Sequence, residues 1–209
     1  MDGLFSRTRT EVAPGAVHVP DWLPRDAQRD LVRACRRWAT GPIPMRHQVL
    51  PGGGVMSVKS VCLGWEWDAY TYVRELRGVP VPPVPPELRA LATRALAEVG
   101  YTPDFDAEIA LVNFYDDAAR MGMHQDRDEE SRAPVVSISL GDSCRFRFGN
   151  TEHRGQPYTD LTLESGDLFV FGGPSRLAYH GVVRTFPGTG PTDIDLPRGR
   201  LNITIREKG

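Results

Sequence analysis

Apolar and polar residues recur with two different periods in this chain, and the change of period divides it. In residues 24–39, Leu31, Ala34, Cys35 and Trp38 fall at i, i+3, i+4 and i+7 with arginines and aspartates opposite, which predicts a helix with one buried stripe. A second helix is predicted between Pro85-Pro86 and Gly100, with Leu88, Leu91, Ala92, Ala95, Leu96 and Val99 as its apolar stripe. Beyond Gly100 the period shortens. Runs at 109–115, 135–140, 144–148, 161–163, 168–171 and 201–205 are rich in β-branched and aromatic residues and are separated by turns such as Glu164-Ser165-Gly166-Asp167. A further short strand is expected at 16–19. Two early helices followed by many short strands predict an α+β chain whose sheets close into a sandwich or jelly roll.

Residues 40–86 fit neither pattern. Pro42, Pro44, Pro51 and Gly52 to Gly54 open the segment, and Pro80, Pro82, Pro83, Pro85 and Pro86 close it. Trp65, Trp67, Tyr70 and Tyr72 lie between. An aromatic insert framed by turn formers suits a lid over a site, and it equally suits a hairpin packed on the body.

Composition narrows the classes. The 209 residues suffice for one domain with a core, 40% of them are hydrophobic and the net charge is −2. A wholly basic nucleic-acid-binding surface is thereby excluded, although a local basic groove is not. Three widely spaced cysteines (Cys35, Cys62, Cys144) form no C-x-x-C pair and no disulfide framework. With no signal-like N-terminus and no membrane-length apolar stretch, a cytoplasmic monomer without membrane contact is expected.

The chemistry is concentrated in Met123-His124-Gln125-Asp126-Arg127-Asp128-Glu129 and in a distant His180. Residues two apart on an extended segment face the same way, so His124 and Asp126 share a side. Two imidazoles and one carboxylate are the ligand set that holds non-haem Fe(II) with open positions. A His-x-Asp triplet is also common on surface loops, and a lone histidine on an apolar strand is commonly a packed core residue. From the residues alone both readings stand. His18, His47 and His153 fall in turn-like or terminal segments and read as solvent-facing. On the last strand Arg200, Asn202, Thr204 and Arg206 share one face, and Leu201, Ile203 and Ile205 the other. Arginines on a core strand need an anion to face, and their planar forks suit carboxylates, whereas on an edge strand the same face would simply be solvated. Asn113 and Tyr115 likewise share a face.

With these residues go Leu63-Gly64-Trp65, Asn113-Phe114-Tyr115, the run 132–141, Gly166-Asp167, Gly172-Gly173-Pro174-Ser175-Arg176, Tyr179-His180-Gly181 and the run 200–206. In these motifs the chain resembles the AlkB family of Fe(II)- and 2-oxoglutarate-dependent nucleic-acid demethylases, over residues 45–209. The resemblance implies a double-stranded β-helix (jelly roll) core at about 105–209, N-terminal helices packed on it, and an aromatic-rich nucleotide-recognition lid at about 40–86, all in one domain spanning 1–209. It implies Fe(II) on His124, Asp126 and His180, with 2-oxoglutarate and O2 as co-substrates. Arg200 would pair with the distal carboxylate of 2-oxoglutarate and Arg206 would lie near the carboxylate beside the keto group, with Asn113, Tyr115 and Asn202 as further contacts. Trp65 would stack on a flipped base opposite His124, Tyr72 would lie near the nucleotide backbone, and Asp128 near the exocyclic amine. Phosphates would meet Arg46, Lys59, Arg120 and Arg127. The implied activity is oxidative demethylation of bases of the 1-methyladenine and 3-methylcytosine type in DNA and RNA, with release of formaldehyde. The alternatives are an oxygenase of the same iron class acting on a protein side chain or small molecule, and a non-catalytic nucleic-acid-binding module. Two features depart from the family pattern: an additional Trp67 in the lid and a long Pro/Gly-rich segment at 185–198, expected to be flexible.

Overall fold

Prolines start both helices. Pro24 is extended and precedes α1 (Arg25–Ala39), and Pro86 opens α2 (Pro86–Glu98) in the first turn, where a missing N–H costs nothing. The computed structural model describes residues 7–68, 70–101 and 104–209. Its strands are β1 (Thr10–Ala13), β2 (Ala16–Val19), β3 (Arg46–Val49), β4 (Val55–Leu63), β5 (Glu66–Asp68), β6 (Thr71–Val73), β7 (Glu75–Leu76), β8 (Val79–Pro80), β9 (Ile109–Tyr115), β10 (Met121–His124), β11 (Val135–Gly141), β12 (Ser143–Gly149), β13 (Tyr158–Leu163), β14 (Leu168–Phe171), β15 (His180–Phe186) and β16 (Arg200–Arg206).

An eight-stranded sheet runs β1-β2-β14-β11-β16-β9-β4-β3, and a four-stranded sheet runs β10-β15-β12-β13. Their strand pairs are antiparallel. This is the double-stranded β-helix with helices on its outer face. Alternation assigns each side of the large sheet. Ile203 and Ile205 of β16, Ala110 and Val112 of β9, and Val136 and Ile138 of β11 pack toward Leu31 and Val32 of α1 and Leu88 and Ala92 of α2. Tyr115, Val135, Phe169 and Phe171 turn the other way, onto Phe146, Phe148 and Val182 of the small sheet. Each Leu or Ile buried this way contributes roughly 1.5–3 kcal/mol. Polar residues that fall on the inner face, above all on β16, are thereby enclosed between the sheets.

Two expectations are revised. Of the segment 40–86, β3 and β4 belong to the edge of the large sheet, because Val61 and Leu63 bury against the helices. Only the small hairpins β5–β6 and β7–β8 stand apart from it. The segment 185–198 is tied down, since the Asp142 carboxylate accepts hydrogen bonds from the backbone N–H of Thr189, Gly190 and Gly199.

Candidate active site

The register of the small sheet sets the site. β10 pairs antiparallel with β15 so that His124 lies directly opposite His180, with ring centroids 4.5 Å apart. Gly181 permits this approach: a Cβ there would meet the Met121 carbonyl at 2.5 Å. Asp126 follows just beyond β10. Its Oδ1 is 3.5 Å from His124 Nε2, and its Oδ2 is 3.7 Å from His180 Nε2.

Both rings are oriented by their other nitrogen. His124 Nδ1 donates to the Gly122 carbonyl (2.9 Å) and His180 Nδ1 to the Ala178 carbonyl (3.0 Å). These acceptors assign the protons to Nδ1 and leave each Nε2 with a lone pair toward Asp126. Burial holds the His180 imidazole down at about 4, so it is neutral at pH 7. Burial alone would raise the Asp126 carboxyl, but Arg206 and the two histidines outweigh it and hold it ionised. Asp126 Oδ2 is buried and has no hydrogen-bond partner among the described residues. Two imidazoles and a carboxylate, with ligand atoms all within 4.8 Å of one another, fit a facial iron site.

A cavity opens beside the triad, lined by Asn113, Tyr115, Arg200, Asn202, Thr204 and Arg206 and walled by Phe146, Leu163, Phe171 and Val182. Arg200 is 1% exposed and donates only from Nη2, to Ser139 Oγ at 2.9 Å. Its Nε and Nη1 are buried without partners among the described residues. A buried guanidinium with two unpaired donors is costly unless an anion meets it, and a carboxylate matches that fork. Burial pushes the Tyr115 hydroxyl up and keeps it a donor. The donor set therefore fits a small dicarboxylate reaching from Arg200 to the triad.

The comparisons agree with this geometry. The family model of the 2OG-Fe(II) oxygenase superfamily matches residues 15–206. The chain is 42% identical to an AlkB homolog of Caulobacter vibrioides named an alpha-ketoglutarate-dependent dioxygenase, covering 93% of this chain and 88% of that protein. The chain belongs to the AlkB family. It is also 32% identical to the DNA N(6)-methyladenine demethylase ALKBH1D of Arabidopsis thaliana over 93% of its own length, and spans half of that protein. The solved structure of OsALKBH1 superposes with a TM-score of 0.87 at 31% identity, covering 95% of this chain and 99% of that one. Iron, 2-oxoglutarate and O2 are the cofactors of this AlkB-family chain.

Not every residue expected at the site is there. The six cavity-facing residues and the triad converge, but Trp65 lines neither this cavity nor the cleft outside it. Gly64, at φ +81°, turns the chain out of β4. Trp65 is left between the Arg74 guanidinium at 3.8 Å and Lys208 Nζ at 5.1 Å from its ring centre. Trp67 occupies the outer cleft instead, edge-on to Tyr70 (5.3 Å, 84°), and its Nε1 donates to Asp128 Oδ2 at 2.8 Å. Tyr72 is buried, and its hydroxyl donates to Glu129 Oε1 at 2.7 Å. It is the turn residue Tyr70 that faces the cleft. Asp128 lies in the cleft as expected, as do Arg120 and Arg127. Arg154 joins them there, a residue nothing in its local sequence singled out. Arg46 is committed to buried Glu66 at 2.7 Å, and Lys59 is exposed on β4 outside the cleft.

His18 is a further correction. It is buried and pairs through Nε2 with Asp167 Oδ2 at 2.9 Å. Glu129 has a role that the sequence motif does not show. It receives Arg206 Nη1 at 2.7 Å and Arg176 Nη2 at 3.3 Å, while Arg206 Nη2 lies 2.8 Å from Asp126 Oδ1. The only sequence signal for it was its place in the acidic run beside the ligand.

Proposed function

We propose that this chain demethylates N-alkylated bases in nucleic acid, oxidising the methyl carbon while 2-oxoglutarate is consumed. The observation that carries this reading is the pair of unpaired Arg200 donors in the cavity next to a His-Asp-His triad whose ligand atoms all lie within 4.8 Å of one another. Bound iron with 2-oxoglutarate and O2 supplies the oxidant that hydroxylates the N-methyl group. The hydroxymethyl amine then breaks its C–N bond, giving formaldehyde and the unmethylated base. The chain's own residues orient and enclose. Arg200 holds the far carboxylate, Tyr115 and Asn113 offer hydrogen-bond donors, and the phenylalanine wall excludes water.

Nucleic acid is supported by the outer cleft, which shares His124 and Met121 with the inner cavity. It combines a half-buried Trp67 and an exposed Tyr70 with Arg120, Arg127 and Arg154. Stacking surfaces beside cations are the means by which single bases and their phosphates are held, and stacking is worth roughly 1–3 kcal/mol per base. A base whose pairing edge is methylated is also cheaper to extrude from a duplex. The name of the Arabidopsis relative adds N(6)-methyladenine as a third candidate beside 1-methyladenine and 3-methylcytosine.

The test is mass spectrometry of DNA and RNA oligonucleotides carrying each of these bases, and of methylated peptides, with and without 2-oxoglutarate. Loss of 14 mass units per methyl (about, as CH2) from an oligonucleotide only when 2-oxoglutarate is present is the expected result. Peptide oxidation with untouched oligonucleotides would overturn the substrate class.

A further inference from the structure

The hairpin β5–β6 touches the metal-ligand loop twice, and both contacts come from one cross-strand pair. Trp67 and Tyr72 are register partners, so their side chains leave the hairpin on the same face. They grip consecutive residues: Trp67 Nε1 donates to Asp128, and the Tyr72 hydroxyl donates to Glu129. Those two acids follow Asp126 directly in the chain.

Glu129 carries the contact inward. The same Oε1 that accepts from Tyr72 accepts from Arg206 Nη1, which also donates to the Tyr72 hydroxyl at 3.1 Å. The other terminal nitrogen of Arg206 rests on Asp126 Oδ1. Arg176 closes the group from behind, donating to Glu129 and to the Asp126 backbone carbonyl. A set of buried hydrogen bonds and an ion pair therefore runs from Tyr72 of the hairpin to a metal ligand. The exposed Trp67–Asp128 bond, joined to it through the chain, lines the cleft that Arg120, Arg127 and Arg154 border.

We propose that this hairpin is a latch that reports occupancy of the outer cleft to the co-substrate site, with Tyr72 and Glu129 as positioning residues for Arg206. The inference rests on the demethylase reading above. A base seated in the cleft meets Trp67 and Asp128 together. Whatever shift it imposes on Trp67 is imposed on Tyr72, because the two are cross-strand register partners in a two-stranded sheet. Tyr72 then tightens or releases Arg206 and, through it, Asp126. Coupling of this kind is reciprocal, so 2-oxoglutarate must change oligonucleotide affinity by the same factor by which the oligonucleotide changes 2-oxoglutarate affinity.

Tyr72→Phe keeps the ring and removes the hydroxyl. The measurement is calorimetric binding of 2-oxoglutarate to the Mn(II)-loaded chain without oxygen, with and without a methylated oligonucleotide, followed by the ratio of succinate to formaldehyde in turnover. In the wild type the oligonucleotide should tighten 2-oxoglutarate binding. In Tyr72→Phe, binding should weaken about 5-fold, the linkage should vanish, and succinate should exceed formaldehyde. Trp67→Phe, which removes the indole N–H donor to Asp128, should lose the linkage as well. Wild-type affinity and linkage retained in both variants would overturn the latch. A wild-type chain that binds no 2-oxoglutarate would overturn the reading of the site itself.

Discussion

Two aspartates, Asp126 and Asp167, are buried beside histidines in this fold, and they do opposite things. Asp167 is saturated. Its Oδ2 accepts from Arg7 Nη1, His18 Nε2 and the Glu164 N–H, and its Oδ1 from the Asp21 N–H. Nothing is left over, and the group ties the N-terminal strands to the β13–β14 turn. Asp126 keeps one buried oxygen without a partner among the described residues, between two imidazoles whose Nδ1 protons point away. The arginines repeat the contrast. Arg176 uses all three of its nitrogens on Ala133, Asp126 and Glu129, while Arg200 uses one. A buried polar group with every bond made is architecture; one left short is where a ligand belongs.

The sharpest way to break that contrast is to remove one histidine from each aspartate. His124→Ala should lower Fe(II) affinity at least about 100-fold and abolish formaldehyde release. His18→Ala should leave metal binding intact and cost about 1–3 kcal/mol of stability, read from urea unfolding. Equal metal affinity in both variants would erase the distinction. Next come the arginines. Arg200→Ala should weaken 2-oxoglutarate binding roughly 10- to 100-fold with oligonucleotide affinity little changed, whereas Arg176→Ala should act mainly on stability.

A smaller effect separates the aspartates by pH. Burial would raise the Asp167 carboxyl, but the His18 and Arg7 hydrogen bonds and the backbone N–H groups of Glu164 and Asp21 outweigh it, so it sits below the ordinary 3.8. The unfolded chain therefore binds this proton at higher pH than the folded one. The stabilisation is complete above the ordinary value and is lost as pH falls through it toward the folded value. Asp167→Asn should flatten the acid limb of the urea midpoint below about pH 5, and an unchanged limb would contradict the assignment. Smallest is the effect at the hairpin. Trp67→Ala should reduce methylated-oligonucleotide binding by roughly 1–3 kcal/mol, while Trp65→Ala should leave it near wild type.

Much of this was readable along the chain. The second helix begins and ends at its proline and glycine signals, and β16 alternates as its residues require: Ile203 and Ile205 meet the helices while Arg200, Asn202, Thr204 and Arg206 line the cavity. The ligand types and the dicarboxylate arginine followed from residue chemistry and the family motifs. The hairpin was misread, because the positive φ at Gly64 moves Trp65 out of line with Trp67 in a way that alternation alone cannot register. His18 was read as exposed because its acceptor, Asp167, is 149 residues away.

The linear order of residues by itself determined which side chains share a face, since that depends only on the two-residue repeat of a strand and the 3.6-residue repeat of a helix. What folding alone decided is which faces meet. His180 stands across from His124, Tyr72 reaches Glu129, and Trp67 rather than Trp65 lines the cleft, because strand register and hairpin placement are set by packing between segments far apart in the chain.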